Sequence, residues 1–109
     1  MAHRTRTYSW GDPLQSLASS RGLTGLEALQ LISTGEVPPP PIAMTLGFGR
    51  LEVANGTAVF EIEPAEFHYN PIGVVHGGLA LALLDSAMGC AVHSTLAAGV
   101  GYKIGRAHV

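Results

Sequence analysis

The sequence predicts an α+β fold, and three observations predict it. The first is an apolar segment from Leu79 to Ala98, too long for a typical strand. The second is a pair of strand-like runs, Arg50–Ala54 and Thr57–Glu63, joined by Asn55-Gly56, a strong hairpin signal. The third concerns closure. Two strands and one long apolar helix do not complete a layered architecture, and a lone hairpin is marginal. The helix calls for more sheet than these strands provide.

From the N-terminus, residues 1–12 form a polar tail with scattered Arg and aromatic residues. It is expected to be mobile, or an arm ordered against a neighbour. Residues 13–37 hold two helices. Asp12-Pro13 supplies an N-cap and a first helical residue for a helix through Ser19 or Ser20, stopped by Gly22. Thr24 with Glu27 forms a capping-box pattern, and Gly35 ends that second helix. Leu26, Leu29 and Ile32, with Leu23, fall on one stripe, expected to pack and placed to lid a pocket. Pro38–Pro41 should run extended as a spacer, with a short helical turn in Ile42–Leu46. Gly47-Phe48-Gly49 leads into the first strand. In the returning strand Ala58, Phe60 and Ile62 share one face.

Pro64 ends that strand, and Ala65–Tyr69 connects it to the stretch that carries the chemistry, Asn70–Asp85. His68 and Tyr69 are candidate pocket-rim residues. Asn70-Pro71-Ile72-Gly73 reads as a turn, and His76-Gly77-Gly78 opens the long helix, expected over Gly77–Ala97, on the order of 30 Å at 1.5 Å per residue. Leu79–Leu84 is all Leu and Ala, strong helix formers. A helix apolar nearly all round should be buried on most sides. A membrane span is disfavoured by Asp85, Ser86, His93, Ser94 and Thr95 inside the window.

Two features of this helix point to a site. Its first N–H groups lack intrahelical partners and carry partial positive charge. A carbonyl oxygen placed there would be polarised, and glycine lets it come close. Farther along, Asp85 has Gly78, Ala82 and Gly89 at helical spacing, so small residues leave room beside an acid that is expensive to bury. That room suits a substrate or the backbone of another helix.

Composition narrows the rest. Hydrophobic residues make up 47% of the 109 and charged residues 13%, so apolar surface is expected to be covered by another subunit. Six Lys and Arg at net charge −2 leave no footprint for nucleic acid. The one basic cluster is Arg4 and Arg6. Cys90 stands alone and is expected to be a packed thiol. The polar N-terminus lacks the apolar core of a signal peptide, so a cytoplasmic location is expected. No G-x-S-x-G elbow is present, and His68, His76 and Asp85 fit no familiar metal spacing.

The pattern Asn-x5-His-Gly-Gly-x6-Asp, carried by Asn70, His76, Gly77, Gly78 and Asp85 within HYNPIGVVHGG and LLDSAMGCAV, resembles the signature of hot-dog-fold acyl-CoA thioesterases of the phenylacetate-pathway type. The resemblance covers roughly residues 39–102, so 38–102 would be the N-terminal part of such a domain. It implies an antiparallel sheet wrapped around the long helix, self-association as a dimer or tetramer, and active sites between subunits. Asp85 would be the nucleophile or the general base for water. Gly77 would offer its N–H to the thioester oxygen, Asn70 would orient water or carbonyl, and His76 would position the site. Gly78, Ala82, His68 and Tyr69 would contact substrate. Asp85 and the Gly77 donor would come from different subunits, with acyl-CoA as substrate and no metal or cofactor. A non-catalytic acyl-CoA-binding module and a hydratase or dehydratase of the same fold are the alternatives. The last seven residues, KIGRAHV, read like the translation of a common sequencing adapter. The chain is therefore expected to be a fragment with a non-native tail over 103–109, in which Arg106 and His108 carry no function, and the site assignments and activity are expected of the parent protein rather than of this truncated chain.

Overall fold

The computed structural model describes residues 2–101. Tyr102 and the 103–109 tail with Arg106 and His108 lie outside the described residues.

Among the described residues, four α-helices and one hairpin make up the architecture. Helix α1 (Pro13–Ser19) starts where Asp12 Oδ1 accepts the Leu14 N–H at 2.9 Å. It packs loosely, with Leu14 and Leu17 exposed. Helix α2 (Gly25–Thr34) carries the full capping box: Glu27 N–H donates to Thr24 Oγ1, and Thr24 N–H donates to Glu27 Oε1. Gly35 closes it at φ +85°, which an L side chain rarely adopts. Helix α3 (Pro41–Leu46) takes in the last proline of the expected spacer. Pro41 sits at the first helical position, where its missing N–H costs nothing.

Strands β1 (Phe48–Ala54) and β2 (Thr57–Ile62) pair antiparallel, with Leu51 opposite Phe60 and Ala54 opposite Thr57. The first strand begins two residues earlier than the sequence suggests because a register shift between Phe48 and Leu51 absorbs Gly49 and Arg50. Gly56 takes a positive φ and Asn55 does not. The turn is therefore not the type I′ form that Asn-Gly often adopts. Ala58, Phe60 and Ile62 are half-buried on one face, while Thr57, Val59 and Glu61 are exposed on the other.

Helix α4 (Gly77–His93) packs chiefly on β2, and α2 packs on β1. Ser33 Oγ donates to the Leu51 carbonyl at 2.8 Å, tying α2 to the sheet. At its far end α4 stops four residues short of the expected Ala97. The Ser94 hydroxyl donates to the Ala91 carbonyl and Thr95 Oγ1 to the Val92 carbonyl, both at 2.7 Å. Side-chain hydroxyls thus occupy the carbonyls that would continue the helix. Ser94 Oγ also accepts the Gly56 N–H at 2.8 Å, fastening the hairpin turn to the helix end. Gly25 donates its N–H to the Leu96 carbonyl at 3.0 Å, so α2 begins against that same end.

The expectation that α4 is buried on most sides is overturned. Leu79 and Gly89 are buried, but Leu81 (69% exposed), Leu84, Met88 (57%) and Val92 face outward. A two-stranded sheet covers only one side of a helix this apolar. Burying one such side chain is worth about 1.5–3 kcal/mol. The open stripe is therefore comparable with the whole stability of a small domain. Among the described residues no helix is long and apolar enough to cross a membrane.

The N-terminal arm, expected to be mobile or ordered against a neighbour, makes its contacts here with its own chain. Arg6 donates from Nη1 to the Thr45 carbonyl at 2.8 Å and from Nη2 to the Met44 carbonyl at 3.0 Å. Its guanidinium lies over the rings of Phe67 and Tyr8, 4.2 and 4.6 Å from their centroids. Each such stacking is worth about 0.5–1 kcal/mol at an exposed site. The Arg4–Glu66 ion pair at 2.9 Å is exposed on both sides and adds little.

Candidate functional site

The loop from Glu66 to His76 seats the start of α4, and its polar groups are largely committed to that task. A 3₁₀ turn, Glu66–His68, buries the His68 ring. His68 Nδ1 accepts the Ala65 N–H at 2.9 Å. A backbone N–H can only donate, so the proton sits on Nε2, which donates to the Leu46 carbonyl at 2.7 Å. The His68 carbonyl accepts the His76 N–H at 2.8 Å. Both ring nitrogens of His68, expected at a pocket rim, are thus occupied by backbone groups.

Asn70 folds the next turn. Its Oδ1 accepts the N–H groups of Ile72 and Val74 at 3.1 and 3.2 Å, and its own N–H donates to the Val74 carbonyl at 2.8 Å. Gly73 supplies the positive φ that reverses the chain. Tyr69 then bridges Val75, with its ring half exposed. The Asn70 amide oxygen is therefore spent on backbone, and its NH2 is the group left to meet a ligand.

His76 is the N-cap of α4. Its Nδ1 accepts the Gly78 N–H at 2.7 Å, and its carbonyl accepts the Leu79 N–H at 3.0 Å. Of the first three helical N–H groups, only that of Gly77 finds no acceptor among the described residues. Gly77 is exposed, and a Cβ there would meet nothing within 4 Å. At Gly78 the same atom would fall 2.8 Å from His76 Nδ1, so glycine there makes room for the capping ring. Gly78 thus serves the cap more than a substrate.

Asp85 lies two turns further on, eight residues from Gly77, about 12 Å along the helix axis. It lines a cavity of about 540 Å³ between α2, α3, β1 and α4, whose walls include Leu29, Ile32, Pro40, Phe48 and Phe60. Of the α2 stripe, Leu29 and Ile32 line it and Leu23 and Leu26 do not. The small-residue face beside Asp85 is divided: Gly89 is buried and lines the cavity, Ala82 is half-buried and lines neither it nor the smaller cavity described next. Cys90 also lines the large cavity, and burial pushes its thiol above the ordinary value, which makes it a poor nucleophile.

A second cavity, of about 280 Å³, gathers His68, Tyr69, His76 and Gly78 with Phe67. The expected residues other than Ala82 therefore fall into two groups. One surrounds the α4 N-terminus; the other is Asp85 in the larger cavity. The rings of Phe48 and Phe60 meet edge to face at 5.8 Å on the cavity wall, and sequence reading had not singled them out. Their signal was only that two aromatics stand on facing strands. Arg50, also on that wall, is held by Glu52 and Glu61 at 3.1 Å each. Among the described residues no three His, Cys, Asp or Glu side chains gather to share a metal ion.

Chemically, one end offers the N–H of an exposed glycine at the positive pole of a 17-residue helix, able to polarise a carbonyl. The other offers an exposed carboxylate at an apolar cavity. No protein-family model, curated protein or solved structure matches this chain.

Proposed function

We propose that this chain serves the hydrolysis of acyl-CoA thioesters, as part of a hot-dog-fold thioesterase acting as a dimer or tetramer in the cytoplasm. The observation that carries this reading is the separation of donor and acid. Gly77 is exposed and its N–H finds no acceptor among the described residues, while Asp85 lies about 12 Å away on the same helix. One chain cannot bring both to one carbonyl, but two copies with α4 antiparallel can. The uncovered stripe of Leu81, Leu84, Met88 and Val92 beside Asp85 supports such a pairing. The Asn70, His76-Gly77-Gly78 and Asp85 pattern supplies the reaction class.

In this mechanism the thioester oxygen rests on the Gly77 N–H of one subunit. Asp85 of the other takes a proton from water, and the hydroxide adds to the carbonyl carbon. Collapse of the tetrahedral oxyanion breaks the C–S bond. The departing CoA sulfur takes the proton back from Asp85, leaving free acid and CoA thiol. His76 holds the Gly78 N–H so that the helix start keeps its geometry, and the Asn70 NH2 steadies water or carbonyl. An aryl or medium-chain acyl group fits the apolar cavity. A thioester is already electrophilic, so one oxyanion donor and one carboxylate suffice.

The test is thiol release from aryl- and medium-chain acyl-CoA. Asp85→Asn is expected to slow it about 10²–10⁴-fold while binding survives. Binding without thiol release in the unsubstituted chain would point instead to a binding module. Hydration of an enoyl-CoA with no thiol released would point to a hydratase.

A further inference from the structure

We infer that the N-terminal arm is a strap that positions the start of α4, with Arg6 as its buckle. The arm's alternate side chains meet one another: the Arg6 guanidinium lies 4.6 Å from the Tyr8 ring centroid, and the Tyr8 and Trp10 rings are 5.9 Å apart. Arg4 and Arg6 turn to the body of the chain. Arg6 holds the last carbonyls of α3, from Met44 and Thr45, and lies on Phe67. Arg4 pairs with Glu66. Both contacts fall on the 3₁₀ turn whose last residue, His68, pins Leu46 with its ring and His76 with its carbonyl. His76 in turn caps Gly78. A single line of contacts therefore runs from Arg6 through Phe67 and His68 to the N–H groups of α4.

The chemistry of arginine fits the task. Its planar fork serves two carbonyls while its face stacks on rings, which a lysine ammonium cannot do at once. A cation at the C-terminal end of α3 also meets the negative pole of that helix, short as it is. Arg6 touches neither Gly77 nor Asp85 by any hydrogen bond or ring contact, so it is a positioning residue. Its catalytic consequence rests on the thioesterase reading; the mechanical link does not.

Amide hydrogen exchange on the full chain tests it. In Arg6→Ala, exchange at the His76 and Gly78 amides should accelerate at least about tenfold, while Ala28, bonded to Thr24 in α2, exchanges as before. Arg6→Lys should fall between. Phe67→Leu, which removes the ring beneath the guanidinium, should reproduce the selective effect without touching Arg6. Unchanged exchange at His76 and Gly78, or equal acceleration throughout α2 and α4, would overturn the strap. In thiol-release assays Arg6→Ala should lower kcat and leave KM unaltered. Selective exchange without thiol release would separate failure of the thioesterase reading from failure of the strap.

Discussion

His76 Nδ1 accepts the N–H of Gly78 at 2.7 Å, and this bond decides which donor the helix start presents. With Gly78 occupied by the ring and Leu79 by the His76 carbonyl, the outward N–H belongs to Gly77. His76→Ala should cost about 0.5–2 kcal/mol as a lost N-cap. Urea unfolding measures this. Gly78→Ala should also destabilise, because its Cβ would displace the ring.

The junction of α2 with the end of α4 depends on a missing side chain. A Cβ at Gly25 would collide with the His93 carbonyl, which is backbone and cannot swing away. Gly25→Ala should destabilise by about 1–3 kcal/mol, as overpacking does. Thermal unfolding of the variant against the unsubstituted chain checks it.

The capping box of α2 gives a pH dependence of known sign. Hydrogen bonds from the Thr24 backbone and then its side chain hold the Glu27 carboxyl below its ordinary value of 4.5. A lowered folded-state value contributes stability that is fully present above 4.5 and is lost as pH falls through the lowered value. Glu27→Gln keeps the acceptor and removes the charge. The stability difference between Glu and Gln forms should therefore be level above pH 4.5 and shrink below it, in unfolding followed from pH 6 to pH 3.

What could be read from the sequence were the devices written in local chemistry. Asp12 before Pro13, Thr24 with Glu27, Gly35, and Asn55-Gly56 each act within a few residues, and each appears as expected. The motif residues were legible as a group at the start of a helix. Their division of labour was not. Nothing local reveals that the Leu46 carbonyl, 22 positions before His68, would accept its ring N–H. The end of α4 was misplaced because Ser94 is drawn out of the helix partly by Gly56, 38 residues away. Apolarity all round α4 did not translate into burial, since burial depends on how much sheet is present to cover it. The docking of Arg6 on carbonyls 38 and 39 residues distant has no local signature either.

The central claim is that Gly77 and Asp85 act together across two chains, and mixing two inactive variants tests it most directly. Gly77→Pro removes the N–H at a first helical position, where proline is well tolerated. His76 already has the extended backbone, φ −66° and ψ 133°, that proline demands of its predecessor. Each variant alone, Gly77→Pro or Asp85→Asn, should lose thiol release. Remixed in equal amounts from dissociated chains, they should regain about a quarter of the original rate, because half the dimers are mixed and each holds one intact site. No recovery from well-formed mixed dimers would contradict a site shared between subunits.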